Sequence, residues 1–308
     1  MDLTVHLALV TNRFLLESVG SLFWGMLFYP ILFLQKEVAQ TLLVSISKFI
    51  TPCVWVLFVC VLLTLPINVA MIGDGWSDVF SGSLWWPVVT ETSAGLAWQI
   101  SLIGGCILLL SNFFASNSKM VQKYKMFLLL LGGGLILVSF SFTGHAQMNE
   151  GWRGVVHQLS DILHVFAGAS WVGGLFALYF VFKVLSDTEN SLFLIKAVQR
   201  FSRLGMVSVS IIVCSGMINT LLILGHLPFG LQNTYQAMLT GKILLVALMI
   251  GLAIRNRVVL APMLGQSALR QGGIASLKKA IMLELGFGIL VILAVAIFGV
   301  LDPHAGDF

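Results

Sequence analysis

The chain has 308 residues, of which 58% are hydrophobic and only 10% charged, with a mean hydropathy of +0.98 and a formal net charge of +4. Soluble domains carry roughly a quarter charged residues, so a water-soluble globular fold is excluded and an integral membrane protein is implied. The basic excess is confined to alternate loops, so it reports topology and implies no nucleic-acid partner.

Runs long enough to cross about 30 Å of hydrocarbon follow one another near 13–35, 48–72, 94–115, 124–145, 157–183, 201–224, 241–260 and 280–301. None shows the alternation of an outer-membrane barrel, so each predicts a helix. The expectation is an all-α polytopic membrane protein with eight transmembrane helices in a lipid bilayer. No connection is long enough to fold alone, so a single membrane domain over 1–308 is predicted. The opening "MDLTVHLALV" has no basic n-region and no small-residue cleavage site after it, so the first span is expected to be retained as an uncleaved signal. Lys36, Lys48, Lys119, Lys123, Lys125, Lys183, Lys196, Arg200, Arg203, Arg255, Arg257, Arg270, Lys278 and Lys279 share one side, 14 of the 17 basic residues. Arg13, Arg153 and Lys242 fall on the other. The positive-inside rule makes the first side cytoplasmic, so both termini are expected to face outward.

Along the chain, the first span carries Glu17 four residues after Arg13, a spacing that predicts an ion pair. The second holds Cys53 and Cys60 on one face and ends near Met71. Packing is the ordinary role of such cysteines, and a soft-ligand path for Cu(I) is the alternative. All four cysteines lie inside spans without a CxxC pattern, so neither a redox motif nor a disulfide framework is indicated. The connection "IGDGWSDVFSGSLWWPVVTET" (72–92) offers Trp85-Trp86-Pro87 as an interfacial anchor.

The fourth span contains "GGG" (132–134) and closes on "SFTGHAQM", which brings His145 and Met148 to the outer level. The fifth opens on "HQLSDILHVFAGASWVGGL" (157–175). Its His157, Asp161 and His164 are spaced i, i+4, i+7 and form one helical stripe. At 1.5 Å per residue His164 lies about 10 Å deeper than His157. A histidine at a helix end is ordinarily interfacial, but an ionisable residue deeper in a span is a functional candidate. Asp161 is expected to accept a ring N–H and set a ligand tautomer, or to bind an ion itself. Gly168 and "WVGG" (171–174) predict close helix packing, and would also admit a flat cofactor. Further on, His226 lies in an outer loop and His304 in the C-terminal tail. Glu284 is expected to pair with Lys278 or Lys279. Nine of 13 acids and all six histidines, His6 included, fall on the outer side, a pattern suited to a cation site. No Gly-rich phosphate loop is present, which argues against ATP-driven transport.

"GHA" closing span four, "H…HVFAGASWVGGL" on five and "RFSRLGMVSVSIIVCSGMIN" on six resemble the bacterial copper resistance protein D (CopD) family. So do "TYQAMLTGKILLVALMIGLAIRNRVVLAP" across span seven and "ELGFGILVILAVAIFGVLDPHA" on span eight. The resemblance covers about 140–305; over 1–140 it is mainly helix number and topology. It implies an eight-helix inner-membrane protein that handles copper and works with a small periplasmic copper-binding protein. It points to His145, His157 and His164 as functional positions. Met-rich and His-rich outer loops are lacking, as is a fused copper-binding domain, so trafficking of single ions is expected over bulk storage.

Three functions compete. The first is copper handling or transport: Cu(I) or Cu(II) binds a periplasm-facing site between spans four and five, built from His145, His157, Asp161, His164 and Met148. His226, His304, Glu17 and Met71 stand in reserve. The second is a b-type haem electron carrier or oxidoreductase with axial ligands drawn from His145, His157, His164 and His226. The third is a scaffold that holds a periplasmic copper chaperone and conducts nothing.

Overall fold

The computed structural model describes residues 2–113, 118–185, 191–226 and 234–301, the side chains of Lys119, His145 and Ala146 excepted. The described residues form helices α1 (Leu3–Phe33), α2 (Lys36–Ile72), α3 (Trp76–Ser81), α4 (Trp85–Glu91), α5 (Ser93–Asn112), α6 (Lys119–Phe140), α7 (Gly151–Val184), α8 (Ser191–Leu224), α9 (Thr234–Arg255), α10 (Ala261–Met263) and α11 (Arg270–Phe298), with no strand among them. Eight helices are long and apolar enough to cross a membrane: α1, α2, α5, α6, α7, α8, α9 (extended through α10) and α11. The start of α1 and the end of α11 therefore share one face, and the Arg13 guanidinium donates to the Gly299 carbonyl there at 3.3 Å. This is called the terminal face below. The opposite one, where α1–α2, α5–α6, α7–α8 and α9–α11 connect, is the basic face.

Several helices outrun the apolar stretches that announced them. The 37 residues of α2 span about 55 Å, well beyond the hydrocarbon thickness. Apolarity marks only the lipid-immersed turns, while helical hydrogen bonding continues through polar ends such as Lys36–Gln40. The fourth span departs the other way. Its helix stops at Phe140, and Gly144, at φ +69°, turns the chain into a separate 3-10 turn over Gly144–Gln147. His145 therefore sits on that turn, beyond the end of α6.

Helix α7 lies at the centre, packed by α1, α8 and α11, with α2 and α6 at its flanks. Its crossing with α1 is a small-residue contact. A Cβ on Gly25 would lie 2.1 Å from the Ala169 carbonyl oxygen, and one on Gly173 2.5 Å from that of Ser21. Ser21/Gly25 and Ala169/Gly173 form two small-xxx-small pairs that let the backbones meet. Helix α9 leans on α11 and scarcely meets α8. The long run of α9 toward the basic face carries one wide π turn over Asn256–Leu260, closed by the Ala261 N–H on the Asn256 carbonyl. Pro262 follows directly; lacking an N–H and crowding the carbonyl four residues back, it favours such a widening.

Candidate metal centre

The α7 stripe faces α8, and the contact is polar. Ser160 donates to the Ser215 carbonyl at 3.2 Å, and His164 Nδ1 lies 2.9 Å from Ser215 Oγ. Asn219, one turn further along α8, donates to Asp161 at 3.2 Å, and Ser141 at the end of α6 donates to its other oxygen at 2.8 Å. At the mouth, Asn149 Nδ2 lies 2.9 Å from His157 Nδ1 and 3.4 Å from the Leu222 carbonyl.

Partner chemistry assigns the imidazole protons. The Ser215 hydroxyl donates to the Ile211 carbonyl, so its oxygen accepts from His164 Nδ1–H and leaves His164 Nε2 with a bare lone pair. The Asn149 amide nitrogen faces two acceptors, Leu222 O and His157 Nδ1, so His157 accepts there and carries its proton on Nε2. The two histidines thus differ: His164 presents an acceptor nitrogen, whereas His157, only 1% exposed, is tied into the α7–α8 contact. Gly216 makes room for the His164 ring, since a Cβ there would stand 3.3 Å from Cε1.

Two further helices reach this cluster. On α1, Arg13 and Glu17 pair at 3.5 Å, as their spacing predicts. On α9, Lys242 stands over the Phe298 ring at 5.7 Å and is within electrostatic range of Asp161, Glu17 and His164. Two acids and two bases therefore surround the stripe. Lys242 reads from the sequence as one of three scattered outer cations; the structure carries it eight residues into α9, facing the acids.

The remaining candidates are dispersed. The turn bearing His145 packs on α7 and α8, and the His145 side chain lies outside the described residues, as does His304. Met148 is 48% exposed beside that turn, and His226 is exposed just past α8. Met71 lies half-buried at the end of α2, a helix that also packs against α3 and α4. Among the described residues no three His, Cys, Asp or Glu side chains are grouped to hold a metal ion unaided.

Two expectations are corrected. Among the described residues Asp161 accepts no ring N–H; its oxygens accept from Ser141 and Asn219, and the imidazoles one turn to either side find partners on Ser215 and Asn149. Glu284 pairs with neither Lys278 nor Lys279: it turns into the bundle, where Asn256 donates to it beside the Trp171 indole. The polar partners of the stripe also come chiefly from α8, the sixth span, with Ser141 the contribution of the fourth. Ser215 and Asn219 were legible as an i, i+4 polar pair on an apolar helix, although neither is a residue type that announces a metal site.

Residues 3–155 match the copper resistance protein D-like N-terminal domain, and residues 195–298 match copper resistance protein D. A relative named copper resistance protein D, from Pseudomonas syringae pv. tomato, is 34% identical over 70% of this chain and 71% of its own length. The chain belongs to the copper resistance protein D family. With eight spans in that family, it is a copper-related, multi-pass inner-membrane protein. A second relative, inner membrane protein YebZ of Escherichia coli (strain K12), is 29% identical over 78% of this chain and 79% of its own. The copper transport protein CutJ of Bacillus subtilis (strain 168) is 28% identical over 96% of this chain but 53% of its own length, so this chain spans about half of that relative. No solved structure matches. The match over 3–155 extends the family likeness through the first four spans, where the motifs carried little beyond helix number.

Proposed function

We propose that the chain takes up a copper ion at its terminal face and hands it along the α7 stripe, with His164 Nε2 as the first inward ligand. The carrying observation is the His164–Ser215 pair: an intramembrane imidazole with Nδ1–H occupied, Nε2 without a partner among the described residues, and a glycine opposite its ring. A hydrogen bond on the far ring nitrogen is how proteins orient metal-ligating histidines. Neutral imidazole suits both copper oxidation states. Asp161 and Glu17 supply the negative charge that makes the entry favourable to a cation, and Arg13 and Lys242 hold that charge in place while the site is empty of copper.

His145 and Met148, on and just beyond the turn over α7 and α8, are the outer ligands of this reading, and His157 is the hinge that joins that turn to α8 through Asn149. The concentration of basic residues on the other face orients the terminal face to the periplasm. That outer face, rich in acids, is where a periplasmic copper-binding protein would dock and deliver its ion.

The test is a copper titration of the purified full chain against His164→Ala and Ser215→Ala, preceded by oxidised and dithionite-reduced absorption spectra. Affinity should drop by about tenfold or more for His164→Ala and by a smaller factor for Ser215→Ala, which only positions the ring. Unchanged affinity in His164→Ala would sink the assignment. A Soret band that sharpens and shifts on reduction would replace copper with haem.

A further inference from the structure

Glu284 lies at the midpoint of α11, fourteen residues from Arg270 and from Phe298, and is 1% exposed. That is about 21 Å from either helix end, and about 6 Å inside the apolar run 280–301, on the basic side of the hydrocarbon layer. Asn256 donates to it through its amide nitrogen, and the Trp171 indole stands within reach. Both are neutral.

The charged groups on every neighbouring helix point elsewhere. On α11 itself, Lys278 and Lys279 lie a turn and more toward the basic face and do not reach it. On α9, Lys242 stands at the terminal end with Phe298, and the exposed Arg255 and Arg257 flank Asn256, Arg257 donating to the Met206 sulfur on α8. On α7 the nearest titratable residues are His164, seven residues from Trp171 toward the terminal face, and Tyr179, eight toward the basic face, with Lys183 four further on. On α1, Arg13 and Glu17 pair with each other near the terminal face. Among the described residues the carboxyl therefore has a donor but no countercharge. In a bilayer such acids are costly, and they are characteristic of sites where protons or ions are bound.

Hydrogen-bond accounting points to a proton. Asn256 Oδ1 is buried with no donor. A protonated carboxyl has the O–H that this acceptor lacks, and an acid and a primary amide can then satisfy one another at both ends. Asn256 also opens the π turn, an interruption of regular helix that recurs at functional positions. Asn256 lies seven residues from Met263, on the basic side of the span.

The carboxyl is also aligned with the copper stripe. His157, Asp161, His164, Gly168 and Trp171 follow one another at intervals of four, three, four and three residues, so Trp171 continues the stripe about 10 Å past His164. At Gly168, between them, a Cβ would meet nothing within 4 Å. Of the glycines nearby, Gly173 is filled by α1, Gly174 by Phe201, and Gly288, one turn from Glu284 toward the terminal face, by Val172 at 3.0 Å, whereas Gly286 is as open as Gly168.

We propose that Glu284, held by Asn256 beside Trp171, is a buried proton-exchange site on the basic side of the bundle that couples proton movement from the basic face to copper movement along α7. Its step is the binding of one proton from water to the carboxylate and its release, with no change of oxidation state. The coupling rests on the copper reading above; the proton site itself does not.

Two measurements on the full chain separate the claims. In proteoliposomes enclosing a pH-sensitive dye, added cuprous ion should drive proton movement in wild type. Glu284→Gln should abolish that movement while copper titration at the outer site stays within about twofold of wild type. Infrared difference spectra across pH, in water and in deuterium oxide, should show an exchangeable protonated-carboxyl band that vanishes in Glu284→Gln and shifts in Asn256→Leu. The Asn256→Leu spectrum also serves should Glu284→Gln fail to fold, because it keeps the carboxyl. Proton movement in Glu284→Gln as fast as in wild type would overturn the coupling. A spectrum with no such band would overturn the site. Should wild type neither bind nor move copper and yet show the band, the copper reading falls and the proton site stands.

Discussion

The two long faces of α7 solve different problems. Toward α1 it presents Ala169 and Gly173, and the backbones approach so closely that no side chain fits between them. Toward α8 it presents Ser160, Asp161 and His164, each engaged by a polar group of α8. In lipid the first kind of contact gains from van der Waals packing alone. The second kind keeps ionisable groups at depth, where each is a burden unless fully partnered. One face holds the bundle together and the other carries chemistry at a cost to stability.

The largest expected effect falls on the packing face. Gly173→Leu forces a side chain into α1 backbone and should remove about 3 kcal/mol or more, read as lost monodisperse protein and a lowered melting temperature in detergent. If Gly173→Leu melted like wild type, the α1–α7 crossing would be misplaced. Next is Asp161→Leu, which strands the Ser141 hydroxyl and the Asn219 amide. Each orphaned donor costs about 1–3 kcal/mol, and Asp161→Asn, which keeps one acceptor, should recover part of the loss. Gly216→Val should separate the two faces most cleanly. It presses on the His164 ring and should weaken copper binding by about tenfold while moving the melting temperature less than either change above. Copper affinity should also fall as the pH is lowered, because protons compete for the imidazole nitrogen that the metal needs; a flat profile would exclude His164 as a ligand.

The smallest effect belongs to the start of α1. Asp2 caps that helix by accepting from the Thr4 N–H and hydroxyl at 2.8 Å each, and the Thr4 hydroxyl, then its amide, hold the carboxyl below the usual range. The cap is therefore present above the ordinary carboxylate range and is lost as pH falls through the lowered value. Asp2→Ala should fray the first turn, seen as faster amide exchange at Thr4 and Val5, with no measurable change in melting.

The stripe on α7 was legible because helical periodicity is local: the i, i+4, i+7 spacing of His157, Asp161 and His164 puts them on one side whatever surrounds them. Arg13–Glu17 was legible for the same reason. Lys242 was not, since a lysine near a span end looks like any interfacial cation until α9 is placed against α11. Glu284 failed in the opposite way. Two lysines one and two turns away suggested a local pair, and burial toward Trp171 and Asn256 replaced it.

By itself the sequence determined the membrane class, the eight spans, their alternation and the polar stripe, because each depends on composition or spacing within a single segment. Only the tertiary structure decided what the polar groups meet. Asp161 finds Asn219 fifty-eight residues away, and Glu284 finds Asn256 at twenty-eight and Trp171 at more than a hundred. Those meetings depend on where helices cross, and crossings are set by small residues such as Gly25 and Gly173, whose spacing says that a helix can approach but not which partner it will meet.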